Sequence, residues 1–305
     1  MKNINIGNGA ISASEIALGC MRIADMSNAD ASKLINTALE EGINFFDHAD
    51  IYGGGKSEEV FAKAINMNPS IREKIIVQSK CGIRKGFFDF SKEHIINSVD
   101  SSLKRLKTDY LDTLLLHRPD TLMEPEEVSE AFQILHDNGK VRHFGVSNQN
   151  PMQIELLNKY LNNKIIINQL QFSIMNTGMI DSGLNVNMQI DPSIDRDGSI
   201  LEYCRLKDIT IQAWSPFQYG YFEGAFLDNE KFPKLNAKIN EIAESKNVTN
   251  SAIAVAWILR HPARIQTIVG TTNASRLKDI SKASNISLTR EEWYEIYRAA
   301  GNQLP

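Results

Sequence analysis

The chain has 305 residues, a formal net charge of -4 and 42% hydrophobic residues. That length fits two average domains or one large α/β barrel, and the hydrophobic share can fill a sizeable core. The mild acidity gives no electrostatic reason to expect nucleic acid or an anionic membrane as a partner.

No apolar run reaches the roughly 18 residues of a membrane span, and "MKNINIGNGA" lacks the apolar stretch of a secretory signal. Cys20, Cys81 and Cys204 have no paired spacing and read as free thiols of a reducing cytoplasm. The first residues predict two short strands around Asn8-Gly9, a hairpin turn signal. Eight short apolar runs follow: "IALGC", "INFFD", "KIIVQSK", "LDTLLLH", "VRHFGVS", "IIINQLQF", "ITIQAWS" and "IQTIVG". They are near-continuous, as strands buried on both faces should be. Helical stripes separate them. Ala31, Leu34, Ile35, Ala38 and Leu39 share one face behind a Ser27/Asp30 capping box. Ile95, Val99, Leu103 and Leu106 share another behind Ser91. "PEEVSEAFQILHDNGK" stops at Asn-Gly, "NSAIAVAWILRHP" at Pro262, and "TREEWYEIYRAAG" is one more helix, opened by Thr289 and Glu292. Strand and helix alternate eight times, which predicts a (β/α)8 TIM barrel with an N-terminal hairpin and an extra C-terminal helix. A doubly wound sheet is the alternative. No linker divides the chain, so 1–305 reads as a single domain. The segment 173–198 is long, polar and without period, which predicts a mobile loop that orders over a ligand.

In such a barrel the active site lies where strands end. Four ionisable residues stand there: Asp47, Tyr52, Lys80 and His117. Lys80 can lower the pKa of Tyr52, Asp47 can hold Lys80, and His117 can add a hydrogen bond to whatever Tyr52 touches. Such a set protonates an oxygen that is becoming negative, as in a carbonyl accepting hydride. A structural ion pair for Asp47 and Lys80, and a core histidine for His117, are the bland alternatives. A metal site from Asp47, His48, Asp50 and His117 lacks a second suitably spaced histidine, and His48 should point away from the barrel interior. "YGGGKSEE" matches neither a P-loop nor a Rossmann turn. "IVGTTNASRL" is the better anion site, since Asn273 can cap the next helix with Arg276 one turn in.

These motifs jointly resemble the aldo-keto reductases, in a bacterial oxidoreductase branch, over nearly the whole chain. "FFDHADIYG", "IVQSK", "LLLHRPD", "VRHFGVSN", "INQLQF" and "QAWSPF" carry the resemblance. It implies Asp47, Tyr52, Lys80 and His117 as a catalytic tetrad. It implies Ser147, Asn148 and Gln169 on the nicotinamide carboxamide and Trp214 stacked on its ring, while Ser215, Gly270, Thr271 and Arg276, at or after the ends of the seventh and eighth strands, are expected to add further cofactor contacts. It implies NADP(H) as the preferred cofactor, with NAD(H) as the alternative, and no metal. Gly270 and Ile280 depart from the family's usual lysine and asparagine. The expected reaction is reversible NADPH-dependent reduction of an aldehyde or ketone, with Tyr52 as general acid. The alternatives are a nucleotide-binding sensor or partner subunit with little turnover, and a metal-dependent barrel hydrolase. Met21, Phe87, Phe88 and Arg118 are expected to border the substrate pocket by position. Arg118 either pairs with Asp120, the favoured reading, or selects an acidic carbonyl compound.

Overall fold

The computed structural model describes residues 1–305. It opens with the expected hairpin, β1 (Asn3–Ile6) and β2 (Ile11–Ser14), which turns through Gly7, Asn8 and Gly9 at positive φ. The repeating units begin with β3 (Ile16–Gly19) and α1 (Asn28–Glu40), then β4 (Phe45–Asp47), α2 (Lys56–Ala64) and α3 (Pro69–Arg72). Next come β5 (Ile76–Cys81), the two-residue strands β6 (Ile83–Arg84) and β7 (Phe87–Phe88), and α4 (Lys92–Leu106). The pairs β8 (Leu111–Leu116) and α5 (Pro125–Asp137), and β9 (Val141–Ser147) and α6 (Pro151–Asn158), are simple units. After β10 (Ile165–Gln171) stand α7 (Gly178–Leu184) and α8 (Ile200–Leu206). After β11 (Thr210–Trp214) stand α9 (Pro233–Ser245) and α10 (Asn250–Leu259), and after β12 (Gln266–Val269) stand α11 (Ala274–Ser281) and α12 (Arg290–Ala299). The eight strands β3, β4, β5, β8, β9, β10, β11 and β12 pair in that order and close into a barrel, every neighbouring pair parallel. No helix is long and apolar enough to cross a membrane.

The two-residue alternation of each strand decides what the barrel holds. Phe46, Val77, Leu114, Leu116, Phe144, Val146, Ile211 and Val269 face outward into a 65-residue cluster shared with the helices. Each such Leu, Ile or Phe contributes roughly 1.5–3 kcal/mol by leaving water. The inner face carries the other parity. At its floor Ala17, Phe45, Leu115, Ile167 and Ile268 meet Ile4, Ile6 and Ala13 of the hairpin, which plugs the N-terminal end. Gly145 also has inward parity. A Cβ there would lie 2.5 Å from Leu115 Cδ2 and 2.8 Å from the Ile167 carbonyl oxygen, so only hydrogen fits.

Three expectations need correction. First, Ser27 caps α1 by accepting from the Asp30 N–H, but its hydroxyl donates to the Asp30 carboxylate, so the reciprocal half of a capping box does not form. The full box forms at Thr289 and Glu292 instead. Second, segment 173–198 is not without regular structure. Its first half forms α7, where Met179 and Ile180 are buried and Asp181 accepts from the Tyr297 hydroxyl at 2.7 Å. No residue from 186 to 198 is buried. Third, the barrel strands are not apolar throughout, because a band of glutamines crosses the interior below the mouth.

Candidate active site

Asp47, Lys80, His117, Ser147, Gln169, Trp214 and Gly270 are all at inward positions at or just past the C-terminal ends of their strands, so one parity rule and one fold bring them to one mouth. Lys80 is the centre. It is fully buried, and its ammonium has three acceptors: the Asp47 carboxylate (2.8 Å to Oδ2, 2.7 Å to Oδ1), the His48 carbonyl at 2.8 Å and the Tyr52 hydroxyl oxygen at 3.2 Å. Burial acts to lower the Lys80 pKa, but Asp47 and Tyr52 together outweigh it and the net direction is upward. Lys80 is held charged.

Asp47 is in turn fixed by amides. Gln78 Nε2 donates to it at 2.6 Å and Gln169 Nε2 at 3.1 Å. Both amides also donate to Gln212 Oε1, at 2.9 and 3.0 Å. Gln212 donates to Gln266 at 2.8 Å, Gln266 to the Ser14 carbonyl at 2.7 Å, and the Thr113 hydroxyl to Gln78 Oε1 at 2.9 Å. Buried amides are costly without partners, and here each closes on the next. The sequence reading missed Thr113, Gln78, Gln212 and Gln266. The signal was present, since each is an even number of residues from an inward strand-end residue: Gln78 from Lys80, Thr113 from His117, Gln212 from Trp214 and Gln266 from Gly270.

Tyr52 sits half-buried in the 3-10 turn after β4. Its pKa was expected to fall under the Lys80 charge. It is raised instead, because burial raises it most, Lys80 lowers it less, and Asp47 raises it again. Tyr52 is therefore a neutral phenol. Its oxygen accepts from Lys80, so its proton is free to point into the mouth. His117 meets Tyr52 edge-on, ring centroids 5.9 Å apart, and its Nδ1 is buried without a protein partner. Burial, Lys80 and Arg118 hold its pKa well below the usual histidine range, so the imidazole is neutral. His48 has the opposite parity and lies against Phe61 with centroids 4.6 Å apart, fully buried and pushed down to about 3 by burial and Lys80. Asp47, His48, Asp50 and His117 form no metal-like group.

On the far side of the mouth, Asn148 adopts a left-handed conformation at φ 55. Its side chain donates to Ser147 Oγ at 2.7 Å and accepts from the Trp214 indole N–H at 3.2 Å. Ser147 donates to the Gln169 carbonyl at 3.0 Å. Gln169 donates its amide N–H groups to Asp47 and Gln212, so Oε1 is what it can offer a ligand. Phe222 stacks on Trp214 at 6.1 Å and Tyr221 meets it edge-on at 6.4 Å, two neighbours the sequence reading did not name. Ser215 follows at φ 52. A Cβ on Gly270 would meet nothing within 4 Å, and the Thr271 hydroxyl accepts from the Asn273 N–H. Asn273 caps α11 through the Arg276 N–H at 3.0 Å, leaving the exposed Arg276 guanidinium without an ion pair. Ile280 turns into the core. Met21 is exposed after β3, and Phe87 and Phe88 are exposed on the β6–β7 hairpin after β5. Arg118 does not pair with Asp120, whose two oxygens accept from the Phe90 and Leu122 N–H groups.

The sequence model of the aldo/keto reductase family matches residues 15–300. The uncharacterized oxidoreductase YcsN of Bacillus subtilis is 36% identical, with 96% of each chain covered. Oxidoreductase YdhF of Escherichia coli is 34% identical, covering 96% of this chain and 95% of its own. The crystal structure of the thermostable aldo-keto reductase Tm1743 superposes with a TM-score of 0.79 at 27% identity, over 98% of this chain and all of that one. The chain belongs to the aldo/keto reductase family, and with it to the NAD(P)H-dependent oxidoreductases.

Beneath the Tyr52 turn, Glu58 is fully buried and accepts from the Ser79 hydroxyl and Arg105 Nε, each at 2.7 Å. Asp50 lies nearby with Oδ1 unpartnered, and burial and the Glu58 charge push it up to about 6. The folded chain thus binds this proton more tightly than the unfolded chain. As pH rises from about 4 to about 6 the unfolded form ionises first, stability falls, and the penalty is complete above about 6. Asp50→Asn should remove that fall and gain on the order of 2 kcal/mol at pH 7. Urea denaturation of both proteins from pH 4 to 8 checks it; parallel curves would show that Asp50 does not titrate in this way.

Proposed function

We propose that the whole chain acts as one domain that reversibly reduces a small aldehyde or ketone to the alcohol with NADPH, with Tyr52 as the general acid. One observation carries the reading. The Lys80 ammonium, fixed by Asp47, donates to the Tyr52 oxygen, which leaves the phenol proton for an acceptor in the mouth.

The residues at the mouth fit a nicotinamide dinucleotide. Trp214 offers a half-buried aromatic face, Asn148, Ser147 and Gln169 Oε1 form a polar edge, and Gly270 leaves open space. Ser215, Thr271 and the capped start of α11 with Arg276 offer hydroxyls, N–H groups and a cation to the phosphates. When bound, the cofactor supplies the hydride to the carbonyl carbon. As the C=O π pair moves onto oxygen, the Tyr52 O–H bond breaks and its proton goes to that oxygen. The phenolate left on Tyr52 stands against the Lys80 charge, which stabilises it. Neutral His117 adds a hydrogen bond that orients the carbonyl. In the reverse direction the same phenolate takes the alcohol proton. A neutral phenol is the form that reduction requires, so a raised Tyr52 pKa serves the forward direction. The three cysteines are unpaired and buried, in keeping with the reducing cytoplasm proposed for the protein.

Tyr52→Phe keeps the ring and removes the proton. Its kcat for aldehyde reduction should fall by about 10²- to 10⁴-fold, while NADPH affinity by fluorescence titration stays unchanged. More than half the activity retained would remove Tyr52 from the role of acid. Arg276→Ala tests the cofactor. NADPH binding should weaken by about 10- to 150-fold, toward the lower end because Gly270 adds no charge, with NADH binding little changed. Equal weakening of both would mean that Arg276 does not read the 2′-phosphate.

A further inference from the structure

Arg118 is the charged group at the mouth that the reduction itself does not use. It follows His117 directly after β8 and is half-buried. Its Cζ lies 5.4 Å from the Trp214 ring centroid and 5.8 Å from that of Tyr221, so two aromatic rings hold the guanidinium in place. It makes no ion pair and no hydrogen bond to the protein. The acid nearest in sequence, Asp120, is occupied by the Phe90 and Leu122 N–H groups, Asp47 by Lys80 and two amides, and Asp89 by Arg84. A guanidinium has five N–H donors in a planar fork, and none of these five is committed to a protein acceptor, so the fork stays open to the solvent side of the mouth. It lies close enough to His117 to depress its titration. A ligand that reaches Tyr52 and His117 from the mouth can therefore bring an acceptor to this fork.

We propose that Arg118 is a specificity-determining residue and that the site takes carbonyl compounds carrying a carboxylate, paired with the Arg118 fork while the carbonyl oxygen lies on Tyr52. This rests on the reading of Tyr52 as the acid. A carboxylate fits better than a phosphate because one guanidinium stands there alone. Lys80 is fully buried behind Tyr52, and Arg84 already has its carboxylate. Trp214 and Tyr221, whose rings flank the guanidinium, give the body of the substrate an aromatic wall.

The test uses 4-carboxybenzaldehyde and its methyl ester, which present the same aldehyde with and without the charge. Wild type should favour the acid in kcat/KM by about 10- to 100-fold. In Arg118→Ala the acid-to-ester ratio should collapse toward one, and Arg118→Lys should restore only part of it, since an ammonium is a point charge and not a fork. NADPH affinity should be the same in all three proteins. Equal kcat/KM for acid and ester in wild type, or a preference that survives Arg118→Ala, overturns the proposal. A second arm needs no turnover: binding of 4-(hydroxymethyl)benzoate and its methyl ester, read by quenching of Trp214 fluorescence. Arg118-dependent binding of the acid alone supports the carboxylate contact even if no aldehyde is reduced, an outcome that would remove the reductase reading instead. Identical binding of acid and ester, or binding of the acid that Arg118→Ala leaves intact, counts against the contact.

Discussion

A lysine ammonium fully enclosed by protein is expensive, because burial favours its neutral form. Lys80 stays charged only because Asp47, the His48 carbonyl and Tyr52 satisfy all three of its N–H donors. Asp47 can serve as that partner only because Gln78 and Gln169 hold it, and those amides are held through Gln212 and Gln266 as far as the Ser14 carbonyl at the end of the hairpin. The polar band across the barrel is thus the support of one charge. Removing a member would leave a buried donor or acceptor without a partner at a cost of about 1–3 kcal/mol. The same band fixes Asp47, and through it the Lys80 head, relative to Tyr52.

The consequence for chemistry is directional. Lys80 donates to the Tyr52 oxygen, so the phenol hydrogen must find its acceptor elsewhere. The open direction is the mouth, where neutral His117 and the cation of Arg118 also lie. In the proposed reaction a substrate oxygen there would meet one acidic proton and one neutral imidazole. In the same proposal, charge that develops on Tyr52 would meet an ammonium already in place, with no reorganisation at the moment of reaction.

The strand–helix rhythm made the barrel legible, since "KIIVQSK", "LDTLLLH" and "VRHFGVS" are too short for helices and too continuous for half-exposed strands. Strand-end position plus parity also located Asp47, Lys80 and His117. What escaped was everything set by cross-strand register. Gln169 was read as a ligand contact, yet its N–H groups turn inward because Gln212 and Asp47 stand opposite on neighbouring walls. The sign of the Tyr52 shift escaped as well, since a sequence shows the nearby cation but not the burial that outweighs it. Arg118 and Asp120 are neighbours in the sequence, but the turn after β8 gives Asp120 to backbone N–H groups. In segment 173–198 the half that formed α7 buries Ile174, Met179 and Ile180, while Val186, Met188, Ile190 and Ile194 of the other half stay exposed, a difference that the apolar spacing does not show.

The proposed chemistry depends on burial keeping Tyr52 a neutral, proton-donating phenol against the pull of the Lys80 charge. Protein labelled with carbon-13 at the tyrosine ring carbon bearing the hydroxyl, titrated by NMR, reads that state directly among the eight tyrosines, with Tyr52→Phe identifying the signal. The Tyr52 resonance should hold its phenol position from pH 6 through about pH 10, the ordinary tyrosine value. A phenolate shift at or below about pH 8 would show that the cation outweighs burial, and would contradict the account.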